Sequence, residues 1–326
     1  MRLNREFRVV SLEDIEQART RVSHAVTRTP LERSRWLSSE LGREILLKLE
    51  CFQVTGSFKI RGAMSSLSAL SQEDRLRGVL TVSAGNHGLA VAHAAEALDI
   101  DATIVVPCSA SRAKVEAIRR YPVTLIEQGA NYDEAERAAR QMERDSGATF
   151  VSPYNDFDVI AGQGTVALEI LEDSTDLEAI VVPTGGGGLL AGVAIAAKAI
   201  DPRIKVYGAE PEATPAMLRA LEAGRLVEID EDETIADGLA GNIEPGSITF
   251  PLVQQRVDGI ITVSEERIRE AMRRVAREDH RIIEGAAAVA VAALSDSRLA
   301  GTRVAAIVTG CNISLDLFLG LVAENG

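Results

Sequence analysis

The sequence predicts an α/β protein built on mostly parallel twisted sheets flanked by helices. Three observations carry that expectation. Short β-branched apolar runs recur along the chain and alternate with longer stretches of helical spacing. The runs are continuous in apolarity, which is how strands covered on both faces read. Several run straight into polar or Gly-rich loops that open helices, where α/β proteins place their ligands. The chain has 326 residues. At roughly 150 residues per domain that predicts about two domains, enough to bury a core without disulfides or a structural metal.

In chain order the predicted strands are 45–49, 78–82, 102–106, 123–126, 179–182, 205–208, 259–263 and 304–308. Each is four or five residues and mostly continuous in apolarity. The strand at 78–82 leads through a Ser- and Asn-bearing turn to a predicted helix over 89–98. The strand at 123–126 is followed by an Ala- and charge-rich helix over 130–144. The strand at 179–182 meets four consecutive glycines before another apolar helix. The strand at 259–263 precedes a helix over 265–277, with Ser264 as its N-cap and acidic residues in the first turn.

Composition narrows the function classes. Hydrophobic residues make up 46% and charged residues 25%, the balance of a soluble globular protein. Lys and Arg number 35 against 48 Asp and Glu, a net charge of −13. So acidic a surface argues against nucleic acid or an anionic membrane as partner. Cys51, Cys108 and Cys311 are odd in number and far apart, which suggests neither a disulfide framework nor a zinc site. Residues 1–6 lack the apolar region of a signal peptide, and no apolar run reaches the ~20 residues of a membrane span. The expected location is cytoplasmic.

Four segments carry chemistry. The first is T-G-S-F-K-I-R-G-A, from Thr55 to Ala63. Lys59 stands between Phe58 and Ile60. Burial there lowers a lysine's pKa and makes it an amine nucleophile, although a lysine stem lying along apolar surface at a helix start reads the same way. The second is Ser83-Ala84-Gly85-Asn86-His87-Gly88, whose backbone N–H groups and polar side chains suit a carboxylate, or simply cap a turn. His87 is more readily a hydrogen-bonding or packing residue than a base. The third is Gly185-Gly186-Gly187-Gly188-Leu189. Four glycines between a buried strand and a helix let the backbone fold round a phosphate. Neither the P-loop nor the dinucleotide spacing is present. The fourth is Thr309-Gly310-Cys311-Asn312, where a hydroxyl at a strand end can meet a ring nitrogen or close a turn. A lysine nucleophile, a phosphate cradle and two polar strand ends together point to a phosphate-bearing carbonyl cofactor, and pyridoxal phosphate fits.

The motifs S-F-K-x-R-G, S-x-G-N-H-G, G-G-G-G-L and [ST]-G-x-N, in this order, closely resemble the threonine dehydratase and serine racemase family of pyridoxal-phosphate enzymes, with the tryptophan-synthase β-like fold (fold type II). The resemblance spans about residues 10–319. It implies that Lys59 carries the aldehyde of pyridoxal 5′-phosphate, that Phe58 packs on its ring and that Asn86 bonds its ring oxygen. It places Gly185, Gly186, Gly187, Gly188 and Leu189 round the phosphate and Thr309 at the pyridine nitrogen. Glu284 matches a glutamate near the ring, and also reads as an acid at a helix N-terminus. Ser83, Ala84, Gly85, Asn86 and His87 are expected to bind the substrate carboxylate. Residues 1–77 and 156–326 would form a large cofactor-binding domain and 78–155 a small substrate-loop domain, usually in a homodimer or higher homo-oligomer.

Within that family the residues favour deaminating elimination of water from L-threonine or L-serine. A hydroxyl at the pyridine nitrogen leaves the ring a weaker electron sink than a carboxylate would, which suits rapid loss of a β-hydroxyl. Ala84 stands where the racemases carry a serine acid/base. Only fourteen residues follow Asn312, so the resemblance is to the catabolic type without a C-terminal regulatory domain. A divalent-metal site is reduced to Glu210, since Ala216 replaces the family aspartate; Glu212 is the alternative carboxylate. Open alternatives are a serine racemase, a dehydratase of another β-hydroxy amino acid such as L-threo-3-hydroxyaspartate (with Arg61 or Arg112 as the extra cation) and a non-catalytic cofactor-binding protein.

Overall fold

The structure, a computed structural model, describes residues 9–323. The reading of residues 1–6 lies outside the described residues. Among the described residues ten strands form two sheets: β1 (Leu31–Arg33), β2 (Glu44–Leu49), β3 (Val79–Val82), β4 (Ala102–Val106), β5 (Thr124–Glu127), β6 (Thr149–Phe150), β7 (Ala179–Pro183), β8 (Lys205–Pro211), β9 (Gly259–Val263) and β10 (Arg303–Val308). The larger sheet has the order β1-β2-β10-β7-β8-β9 and the smaller β5-β4-β3-β6. Every pairing is parallel except β1 with β2. All eight predicted strands form. The two missed are a three-residue edge strand and a two-residue strand, too short to show a period.

The central strands β7 and β10 are buried almost throughout, because helices cover both faces of their sheet. On one face the helices Phe157–Asp173 and Gly188–Ile200 pack on each other; on the other lies the apolar helix Gly285–Ala293. The helix Lys59–Ser68 joins the two halves of the molecule, packing on Phe157–Asp173 and on Asn86–Leu98.

Some boundaries differ from expectation. The helix predicted over 89–98 begins at Asn86, so Asn86, His87 and Gly88 occupy its first turn. The helix predicted over 130–144 runs Tyr132–Ser146 because the Asn131 side chain accepts from Glu134 N at 3.0 Å and so sets its start. Ser264 sits at the N-cap of Glu265–Glu278, but its side chain makes no capping bond.

Candidate active site

The site forms where strand ends of both sheets meet the start of the helix Lys59–Ser68. Backbone bonds zip the segment before Lys59 onto the segment after β10. Phe58 N donates to Thr309 O at 3.0 Å, Cys311 N to Gly56 O at 2.9 Å, and Ser57 bridges Gly310. Two motifs about 250 positions apart are thereby held at a fixed distance.

Lys59 is the first residue of its helix, and its Nζ donates to Pro153 O at 3.0 Å. The same atom lies 5.3 Å from the Phe58 ring centroid. Burial lowers its pKa to about 8, partly offset by the charge of Glu284. An appreciable fraction of this amine is neutral near neutral pH, as a nucleophile requires.

After β3, Ser83 Oγ accepts from Gly85 N at 3.1 Å and closes the turn, while the hydroxyl proton stays available to a ligand. Asn86 Nδ2 donates to Glu284 Oε1 at 2.7 Å. Glu284 is buried at the N-cap of the helix Gly285–Ala293, yet its side chain makes no capping bond and faces Asn86. Burial raises its pKa to about 7, the Asp237 charge adds to this, and the bond from Asn86 opposes it. His87 is 2% exposed, with Nε2 3.0 Å from Val151 O. Burial, with the charge of Lys59, lowers its pKa to about 3, so the ring is neutral. A neutral ring that donates through Nε2 has only a lone pair at Nδ1. The imidazole is therefore no donor to a carboxylate, and His87 has only its backbone N–H to offer one.

The glycine loop lies between β7 and the helix Gly188–Ile200. Gly187 has φ +86°, a backbone conformation that favours glycine. A Cβ on Gly186 would lie 2.4 Å from the Tyr154 ring. Thr249 Oγ1 donates to Gly186 O at 2.7 Å, which turns that carbonyl away from an anion. The first N–H groups of the helix, those of Gly188 and Leu189 among them, have no intrahelical partner and carry the positive end of its dipole.

Thr309 directly follows β10, is 3% exposed, and its Oγ1 is buried without a hydrogen-bond partner, as is Ser57 Oγ. A buried hydroxyl is rarely left alone, so this one awaits a ligand atom. A phosphate-bearing pyridine aldehyde needs an amine, an anion cradle, a partner for its ring nitrogen and a donor for its ring oxygen. Lys59, the glycine loop, Thr309 and Asn86 provide one of each, and they fit pyridoxal 5′-phosphate.

A divalent cation is not fitted. Glu210 is fully buried, and its two carboxylate oxygens accept from Met217 N at 2.8 Å and Leu218 N at 2.9 Å. It anchors the helix Ala216–Ala223, whose first residue is the Ala216 that replaces the aspartate. Glu212 is exposed, and among the described residues no three His, Cys, Asp or Glu side chains gather as a metal site.

Three features escape sequence reasoning. Tyr154 packs against Gly186 and Gly188, and its hydroxyl accepts from Glu244 N at 3.0 Å. It follows the two-residue β6, which carries no readable period. Lys114, on the helix Arg112–Ile118, pairs with Asp237 across the two halves of the molecule. Arg61, weighed as a cation for a second substrate carboxylate, is instead fully buried against Glu50 and Glu169.

A family model described as pyridoxal-phosphate dependent enzyme matches residues 22–310. The chain is 44% identical over 310 residues to an L-threonine ammonia-lyase of Thermotoga maritima, covering 95% of this chain and 77% of that protein. It is 40% identical over 324 residues to a catabolic L-threonine dehydratase of Staphylococcus aureus, covering 98% of this chain and 93% of that protein. Among solved structures, maize serine racemase matches with a TM-score of 0.92 at 35% identity, covering 96% of this chain and 97% of that one. With the family match extending over most of the chain, over the first three converging segments and into the start of the fourth, this protein belongs to the pyridoxal-phosphate-dependent enzyme family.

Proposed function

We propose that this protein catalyses the deaminating elimination of water from L-threonine, and from L-serine, releasing 2-oxobutyrate or pyruvate together with ammonia. The observation that carries the reading is Lys59, an amine with its pKa lowered to about 8, set among an anion cradle, an unpartnered buried hydroxyl and a carboxylate-binding turn. The two relatives named for threonine support the substrate.

In this reading the backbone N–H groups of the glycine loop and Leu189 hold the phosphate, Phe58 packs on the ring and Thr309 donates to the pyridine nitrogen. When bound, the cofactor supplies an electron sink for charge at the substrate Cα. Ser83 Oγ, Asn86 and the backbone of Ala84, Gly85 and His87 bind the substrate carboxylate. Lys59 removes the Cα proton, and the departing β-hydroxyl takes up a proton and leaves as water, the acid being one that the phosphate of the bound cofactor would supply. Residues 78–155 act as a small domain that closes on a large one of 1–77 and 156–326 and excludes water. The separate four-stranded sheet β5-β4-β3-β6, all of it between Val79 and Phe150, supports that division, and the Lys114–Asp237 pair is a contact across it.

The protein works as a homodimer or higher homo-oligomer in the cytoplasm. Support for assembly comes from exposed Phe52, Val54, Ile282, Leu315, Leu317 and Leu319. Among the described residues no helix is long and apolar enough to cross a membrane, and the three cysteines are free. A second reading, serine racemisation, is favoured by the likeness to the maize enzyme and opposed by Ala84.

Lys59→Ala tests the proposal. The variant should lose the visible absorbance of the bound cofactor and essentially all 2-oxoacid release from L-threonine. Retention of both would end the mechanism.

A further inference from the structure

Asn312 lies at the centre of the site without belonging to any of the roles above. Its Nδ2 donates to Thr55 O at 2.8 Å and to Asn86 Oδ1 at 2.7 Å. Its backbone N–H also donates to the Glu284 carboxylate. Asn86 Nδ2 donates to Glu284 Oε1 at 2.7 Å, which closes a ring of hydrogen bonds through Asn312, Asn86 and Glu284. Gly56 makes room for this ring: a Cβ there would lie 2.5 Å from Asn312 Oδ1, and its φ of +72° favours glycine as well.

The polarity of the ring is not arbitrary. A backbone carbonyl only accepts, so Thr55 O fixes which end of the Asn312 amide is nitrogen. Both Nδ2 protons of Asn312 are then used, one on Thr55 and one on Asn86. Asn86 must meet Asn312 with its oxygen. Its own nitrogen points the other way, with one proton on Glu284 and the second free for a ligand.

We propose that Asn312 is a positioning residue that fixes the amide of Asn86 with its N–H, not its carbonyl, presented to the ring oxygen of the cofactor. The inference rests on the reading that Asn86 meets that oxygen. A donor there favours the ionised ring oxygen, whereas a flipped amide would place a carbonyl against it and favour the protonated form. Asn312 thus sets the protonation state of the bound cofactor, which its absorbance reports, without touching it.

The test compares holoenzymes of the parent, Asn312→Asp, Asn312→Ser, Asn86→Ala and the combination Asn86→Ala with Asn312→Ser. Two quantities are read: the ratio of visible to near-ultraviolet cofactor absorbance, and the dissociation constant for pyridoxal phosphate re-added to stripped enzyme. Asn312→Asp keeps the shape and removes both donors; Asn312→Ser carries the same comparison should the aspartate fail to fold. Either should lower the visible fraction and weaken cofactor binding by roughly tenfold. In the Asn86→Ala background the Asn312 substitution should add nothing. Additive effects, or an unchanged spectrum in both Asn312 variants while Asn86→Ala changes it, would overturn the positioning role. An Asn86→Ala enzyme indistinguishable from the parent would overturn the reading of Asn86 itself, and this inference with it.

Discussion

Arg61 grips Glu50 through two nitrogens, Nε to Oε2 and a terminal nitrogen to Oε1, each 2.8 Å long, with neither side chain exposed to solvent. The same guanidinium reaches both oxygens of Glu169 at 2.7 and 2.9 Å, and Lys48 completes a buried set of two cations and two anions. Two residues along the chain, Lys59 faces the site. One turn of helix therefore carries the proposed nucleophile on one side and, on the other, its anchor to Glu50, just after β2, and to the helix Phe157–Asp173.

Removing that anchor should cost stability. Arg61→Met leaves Glu169 with Lys48 and the buried Glu50 with the Thr29 hydroxyl but no cation, and breaking a buried ion pair typically costs about 3–5 kcal/mol. We expect a thermal midpoint several degrees lower than that of the parent, read by differential scanning calorimetry of the holoenzyme. A midpoint within a degree of the parent would show that the set contributes little.

Glu284 should make cofactor-free stability depend on pH. Its folded pKa of about 7 lies above the ordinary 4.5. The folded chain therefore holds a proton that the unfolded chain releases, and Glu284's contribution falls as pH rises from about 4.5 through 7. Asp237 pushes the same way, whereas Lys114 and Asn86 oppose it. Glu284→Gln keeps the shape and removes the titration. The variant should exceed the parent by about 1–3 kcal/mol at pH 8 and lose most of that advantage at pH 5. Urea unfolding of both stripped proteins across that range checks the sign. A pH-independent gap would rule out Glu284 as the titrating group.

What was legible in the sequence was local. A lysine between apolar neighbours, glycines between a buried strand and a helix, and a hydroxyl at a strand end each state their chemistry within a few residues. The relations among distant segments were not legible. Nothing near Arg61 tells that Glu169, 108 positions on, will take its charge. Nothing near Asn86 announces Glu284 or Asn312, 198 and 226 positions away. His87 reads as a hydrogen-bonding or packing residue and is one, but its partner stays hidden for the same reason: it is the carbonyl of Val151, beyond a strand of two residues.

Ala84 should keep racemisation slow. Inverting Cα requires a proton donor on the face opposite Lys59, and an alanine side chain has none. Ala84 is only partly buried, beside the cluster of Ala92, Ile104, Val106, Val115 and Ile118, and a serine adds a single oxygen there. Chiral chromatography of the L-serine reaction should show pyruvate far ahead of D-serine, and Ala84→Ser should raise the D-serine trace. D-serine formed by the parent as fast as pyruvate would favour the racemase reading.

Thr309 should control how the charge at Cα is handled. Its hydroxyl, buried and unpartnered in the protein, can donate to an uncharged pyridine nitrogen. A carboxylate in its place can pair with that nitrogen only if the ring is protonated, and a protonated ring is a stronger electron sink. Charge drawn further into the ring gives the Cα proton more time to return and weakens the drive to expel the β-hydroxyl. Thr309→Asp should therefore keep the cofactor yet lower turnover on L-threonine by roughly tenfold or more, about 1.4 kcal/mol in the barrier. Recovered L-threonine should also carry more solvent deuterium at Cα per turnover than with the parent. Thr309→Ser retains the hydroxyl and should stay close to the parent on both measures. If Thr309 only closed a turn, Thr309→Asp and Thr309→Ser would match in turnover and in deuterium uptake at equal cofactor content, and the ring-nitrogen role would fall.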